Sequence, residues 1–177
     1  MSVIPFIEGS PVLELGFGPG HLLAALRIKS KTVLGLDESR QMANLAKRRL
    51  RSNGYAQLNI TIGRVGDLPF SSGTFRTLAT TFPSEFIFDL DSLSEARRVL
   101  IPGGRLIVLP IAWHIGSAIL ERFMAWLFKA TGESPGPVDI ISQRLRTPFE
   151  RAGFLVRFEQ LEVKSSLLLV MIATKSD

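Results

Sequence analysis

Glu14, Gly16, Gly18, Gly20, Asp37 and Asp67 are the residues of this 177-residue chain whose types and spacing could do chemistry. Val12-Leu13-Glu14-Leu15 has the pattern of a short buried strand, and it runs straight into three glycines spaced two apart. Glycine lets a backbone turn sharply and approach a ligand that side chains would hold off. His21 to Ile28 then reads as a helix, so its first amides can face that ligand. Glu14 adds a carboxylate at the strand's end. Asp37 closes the next strand pattern, where an acid can accept both hydroxyls of a ribose. These features describe a nucleotide-type site at the switch point of a parallel α/β sheet. The competing readings are a plain glycine turn and an aspartate that only caps the helix near Ser39.

The glycine spacing narrows the ligand. A dinucleotide fingerprint, G-x-G-x-x-G, needs glycine at position 21, where His21 stands. This argues against an NAD oxidoreductase. Glu14-Leu15-Gly16-Phe17-Gly18-Pro19-Gly20 instead resembles motif I of the Rossmann-like methyltransferases that use S-adenosylmethionine (SAM). The resemblance implies that Glu14, Gly16, Gly18 and Gly20 cradle the methionine and ribose parts of SAM and that Asp37 holds the ribose. Gly66-Asp67-Leu68-Pro69-Phe70 also fits: Asp67 would accept from the adenine amino group, and the Leu68 amide would meet the ring. Glu95-Ala96-Arg97-Arg98-Val99-Leu100-Ile101-Pro102-Gly103-Gly104-Arg105-Leu106 and Arg151-Ala152-Gly153-Phe154 extend the match, as framework without chemistry. Arg76 and Thr77 depart from it, since the family usually places aspartate after the phenylalanine at 75.

Nearly the whole chain is covered, and the chain looks most like the small-molecule branch that includes ubiquinone and menaquinone biosynthesis enzymes. That implies an α/β, Rossmann-like three-layer sandwich with a mostly parallel seven-stranded sheet and an antiparallel last strand. It implies SAM as cofactor and transfer of a methyl group to a small, apolar acceptor on oxygen or carbon. Family members carry covering helices before the first strand. Only about ten residues precede it here, so residues 1–177 are expected to form one domain with those helices short or missing. A non-catalytic SAM-binding module is therefore an alternative.

The pattern of elements supports the same architecture. Strand readings at Pro11–Leu15, Thr32–Asp37, Leu58–Ile62, Phe75–Phe82 and Arg105–Leu109 alternate with helices at Gly20–Ile28, from Ser39 to about Arg51, and from Ser92 or Ser94 to Leu100. Phe154–Glu162 and Leu167–Ala173 are strands with so short a link that only an antiparallel hairpin can join them.

Composition bounds the rest. Hydrophobic residues are 46% and the mean hydropathy is +0.24, enough for one core. Cysteine is absent, which excludes disulfides, thiolate metal sites and a cysteine nucleophile. Pro5 and Glu8 interrupt the N-terminal apolar stretch, so a signal peptide is not expected and a cytoplasmic location is the default. The net charge is +5, with Arg40, Lys47, Arg48, Arg49 and Arg51 crowded on one helix. That cluster reads either as a solvated face or as a phosphate contact. No aromatic residues interleave with it, which disfavours nucleic acid, although an RNA methyltransferase remains the alternative that would use it.

Methyl transfer needs alignment and exclusion of water, no metal and no covalent intermediate. A base is needed only where the acceptor must lose a proton. Glu85 and His114, near the C-terminal ends of the fourth and fifth strands, are the candidates. A surface carboxylate and a polar helix residue are the competing readings. Phe82 and Phe86 could stack on the acceptor or simply pack. Ile111 to Lys129 reads as an apolar helix with one narrow polar face. It suits core packing, a lipophilic acceptor pocket, a peripheral membrane contact or a subunit contact. Glu121 and Arg122 in its middle argue against a membrane span. A monomer or a homodimer is expected.

Overall fold

The computed structural model describes residues 3–30, 32–57, 59–81, 85–114, 137–163 and 166–176. Its strands are β1 Val12–Leu15, β2 Val33–Asp37, β3 Ile60–Ile62, β4 Phe75–Thr81, β5 Leu100–His114, β6 Phe154–Val163 and β7 Ser166–Lys175. Its helices are α1 His21–Lys29, α2 Arg40–Ser52, α3 Leu90–Val99 and α4 Pro137–Arg151. The seven strands form one sheet in the order β3-β2-β1-β4-β5-β7-β6. Neighbours from β3 to β5 are parallel, and β7 runs antiparallel to both β5 and β6. The mostly parallel seven-stranded sheet with an antiparallel last strand is therefore present as expected. β2 and β4 flank β1 on opposite sides, so the chain reverses its direction of winding there. Such a reversal opens a crevice beyond the C-terminal ends of the strands on either side of it.

Side-chain alternation builds the two outer layers. Leu13 and Leu15 of β1 pack with Leu93, Ala96 and Val99 of α3 and Phe149 of α4. Val12 packs with Leu22, Leu23 and Leu26 of α1 and with Ala43, Ala46 and Leu50 of α2. The polar face of α2 is left to solvent, including Arg40, Arg48 and Arg51. Ser39 caps α2, its hydroxyl accepting from the Met42 amide at 3.2 Å.

Three elements differ from the expectation. α3 starts at Leu90 because Asp89, not Ser92 or Ser94, is its cap; the Asp89 carboxylate accepts from the Ser92 amide at 3.2 Å. β5 begins at Leu100 and passes through Pro102-Gly103-Gly104 as a bulge. Leu100 pairs with Phe75 and Arg105 with Thr77, so the turn expected there sits inside a strand. β5 also continues to His114, with Ile111 opposite Leu169 and His114 opposite Ser166. Ile111–His114 is thus strand rather than the start of a helix, because β7 supplies the ladder that an isolated segment lacks. The rest of the 111–129 segment lies outside the described residues, as does Phe82. Finally, α4 is a helix that the pattern hides, since Pro148 lies within it.

Candidate active site

The crevice is a cleft of about 640 Å³, in the range that takes a nucleoside-sized ligand. Gly16 lies on its floor, Asp37 and Glu38 on the β2 side, and Gly66 with Asp67 on the loop after β3. Thr80, Thr81 and Phe86 close the β4 side. Asp89, Asp91 and Ser92 at the start of α3 complete it. Five of these side chains are carboxylates, in a chain whose net charge is +5. Arg64 lies among them, 3.9 Å from Glu38, in a pair exposed enough to contribute little. The wall is therefore locally acidic against a basic whole, which favours a cationic ligand.

Asp37 organises the floor. It is buried at the end of β2, and its two oxygens accept from two backbone amides: Oδ2 from Gly18 and Oδ1 from Ser39, both at 2.8 Å. Ser39, not Asp37, caps α2, so the competing reading of a capping aspartate does not hold. A carboxylate offers about four acceptor positions, so two remain for a ligand's hydroxyls. Arg49 of α2 donates to the Pro19 carbonyl and holds the same loop from its other side. One member of the basic cluster is thus a structural tether of the glycine loop.

The three glycines have different tasks. All have positive φ: 66° at Gly16, 50° at Gly18 and 78° at Gly20. A Cβ on Gly16 would point at the Phe86 ring, 3.5 Å away, across the cleft floor; one on Gly18 would enter open space. Gly20 does not line the cleft. A Cβ there would lie 2.8 Å from the Ala46 Cβ, so this glycine exists to let α2 approach the loop.

Glu14 also stands apart from the cleft lining. It is only 2% exposed, between Gly35 and Ala79 in the sheet, and its Oε2 has no hydrogen-bond partner among the described residues. Burial, with a smaller contribution from the Asp37 charge, raises its pKa well above the ordinary value of 4.5. The folded chain therefore keeps this proton to higher pH than the unfolded chain does. Its contribution to stability is full below about pH 4.5 and is lost as pH rises through the folded value. Glu14→Gln should remove this loss. At neutral pH the ligand-free variant should therefore be more stable than the parent and melt at a higher temperature. Thermal melts from pH 4 to 8 check this, and a variant no more stable than the parent at neutral pH refutes it.

Asp67 lines the cleft, but Leu68 does not. Leu68 is buried, and its amide donates to Glu95 Oε2 at 2.8 Å, so the donor expected to meet an adenine ring is already engaged. Arg98 brackets the same loop, donating to the Leu68 carbonyl at 2.9 Å, the Phe70 carbonyl at 2.7 Å and both oxygens of Glu95. The Arg98 guanidinium holds the Glu95 carboxyl below its ordinary pKa. The Glu95–Arg98 stretch, expected to be framework, is thus what places Asp67. Sequence reasoning also missed Thr80. It is fully buried on the cleft wall, and its hydroxyl has no partner among the described residues. A threonine inside a strand carries no signal of such a role.

The two proposed bases separate. The side chains of Glu85 and His114 lie outside the described residues, but their backbones do not. Glu85 opens the 3-10 turn Glu85–Phe88, and the next residue, Phe86, lines the cleft. His114 ends β5, five residues past Leu109, which is opposite Thr81 at the rim. At the rise of an extended strand that is about 16 Å further on.

Residues 12–104, more than half of the chain, match the model of a methyltransferase domain family. The chain belongs to that methyltransferase family. The chain is 33% identical over 67% of its length to a 2-phytyl-1,4-naphtoquinone methyltransferase of Thermosynechococcus vestitus, covering 53% of that protein. It is 32% identical over 71% of its length to a ubiquinone/menaquinone biosynthesis C-methyltransferase of Bartonella bacilliformis, covering 50% of that one. The chain thus spans about half the length of these curated relatives. In fold it matches a SAM-dependent methyltransferase from Methanosarcina mazei with a TM-score of 0.68 at 20% identity, over 99% of this chain and 98% of that one. SAM is the cofactor of this methyltransferase fold, and the residues of the cleft suit it. Its walls are acidic toward a cationic sulfonium, its floor is glycine where a Cβ would intrude, and Asp37 keeps free acceptor positions.

Proposed function

We propose that this chain is the cofactor-binding and catalytic domain of a methyltransferase acting on a ring carbon of a small aromatic acceptor of the quinol type. The observation that carries this reading is the acid-walled cleft at the switch point, with Asp37 tied to the glycine loop. The relatives' naphthoquinone and ubiquinone/menaquinone names supply the acceptor class. SAM supplies an electrophilic methyl group on its sulfonium. Asp37 would accept from the ribose hydroxyls, and Asp67 would accept from the adenine amino group. Phe86 lies against Gly16 and keeps water from the floor. The acceptor sits on the Thr80–Thr81 side. A quinone ring is electron-poor, so the acceptor must be the reduced quinol. Glu85, one residue from Phe86, would take the hydroxyl proton and so raise the electron density at the ring carbon ortho to that oxygen; bound SAM would supply the methyl group to that carbon and leave as S-adenosylhomocysteine, and the ring C–H proton would pass to solvent as aromaticity returns.

The test is incubation of the chain with methyl-labelled SAM and naphthoquinols of increasing tail length, followed by mass spectrometry. Label on a ring carbon of a quinol, and none on the oxidised quinone, is expected. Label on oxygen, on RNA or on no quinol at all overturns the acceptor assignment.

A further inference from the structure

β6 is the last strand of the sheet, and no strand among the described residues pairs with its outer side. An open edge of ten residues is a template for another chain unless something shields it. Arg146 of α4 donates to the Val156 carbonyl at 2.7 Å. In an antiparallel ladder alternate residues turn their main-chain groups to the same side. Val156 therefore marks the outward-facing set, to which Phe158 and Gln160 also belong. A carbonyl accepts two hydrogen bonds, so Arg146 leaves room for a second donor.

Side chains along this edge have a two-fold pattern. Leu155-Val156-Arg157-Phe158-Glu159-Gln160-Leu161 places leucine, arginine, glutamate and leucine symmetrically about Phe158, with the charges of opposite sign. Phe158 packs on the α3–α4 side of the sheet and Leu161 on the other. Leu155, Arg157, Glu159 and Leu161 thus share one face. Leu155 is 67% exposed, a large apolar side chain left in water. Arg157 and Glu159 are 3.9 Å apart, with side chains 56% and 44% exposed, so both can turn to a cross-strand partner.

We propose that the outer edge of β6 pairs antiparallel with the same edge of a second copy of this chain, about a two-fold axis at Phe158. In that register Arg157 lies opposite the partner's Glu159, and Leu155 lies opposite the partner's Leu161. The symmetry makes each pairing occur twice. Shifting the axis by one residue sets Arg157 against the partner's Arg157 or Glu159 against the partner's Glu159, and directly opposed like charges are unfavourable. Charge thereby selects one register. Across the sheet, β7, β5 and β4 separate this edge from β1, so the cleft stays open in the dimer. The inference does not depend on the proposed acceptor.

Sedimentation of the whole chain over a roughly hundredfold range of concentration tests it, with Arg157→Glu, Glu159→Arg and the double exchange alongside. The parent should pass from monomer to dimer as concentration rises. Each single change puts like charges opposite one another twice and should weaken the dimer by about tenfold or more. The double exchange restores the opposite signs and should return the dimer to near the parent's strength. Both residues of the exchange reach solvent in a single copy, and the double variant separates lost pairing from lost folding. A parent that stays monomeric, a dimer indifferent to the single changes, or a double variant that stays dissociated overturns the proposal.

Discussion

Asp37→Asn should weaken binding of S-adenosylhomocysteine by about a hundredfold. The substitution keeps the shape and removes one acceptor. Whichever way the amide turns, its NH2 faces a backbone N–H, either that of Gly18 or that of Ser39, each now 2.8 Å from a carboxylate oxygen. Hydrogen bonds to a charged acceptor are worth about 1.5–3 kcal/mol, and a buried amide left unpaired adds to the loss. The glycine loop is then no longer held to β2, and the acceptor positions for the ribose hydroxyls are lost with it. Calorimetric titration measures the effect. Affinity within threefold of the parent would remove Asp37 from the site and leave it as a structural tie between β2 and the glycine loop.

Gly20→Ala should lower stability by about 3 kcal/mol, from left-handed backbone strain and overpacking together. The backbone at Gly20 has φ 78°, and the added methyl would lie 2.8 Å from the Ala46 Cβ and 3.1 Å from the Ala46 Cα. The second atom is backbone, so α2 must move as a body. A fall in Tm of roughly 6–12 °C is expected for a chain of this length. Gly18→Ala is the control, since a Cβ there meets nothing within 4 Å and only the backbone strain remains. Ala46→Gly in the Gly20→Ala background should recover part of the loss. Equal melting temperatures for the two single variants would show that packing against α2 is not what Gly20 provides.

Those two glycines show how far the sequence could be read. In the sequence they are equivalent members of one motif. In the folded chain one amide anchors Asp37 and the other glycine makes room for a helix, because α2, more than twenty residues further on, packs across the loop. The Asp67-Leu68 pair divides in the same way. The loop was legible, but the Leu68 amide is taken by Glu95, whose position depends on α3 docking. His114 shows the limit from the other direction. Its neighbours read as a helix, and pairing with β7 draws them into β5 instead. Local pattern is a weak guide wherever a distant strand supplies the hydrogen bonds.

The amino-acid order alone determined the alternation of strands and helices, the glycine loop between β1 and α1, and the acids that follow β2 and β3. Those are local facts, governed by side-chain period, backbone freedom at glycine and capping chemistry. Only the tertiary structure decided which of those residues share a cleft, that Arg98 and Glu95 hold the loop bearing Asp67, that Glu14 is sealed from water, and that β6 has no strand on its outer side among the described residues. Each of these depends on segments far apart in sequence meeting across a sheet, and their contacts are set by packing rather than by any residue's own preference.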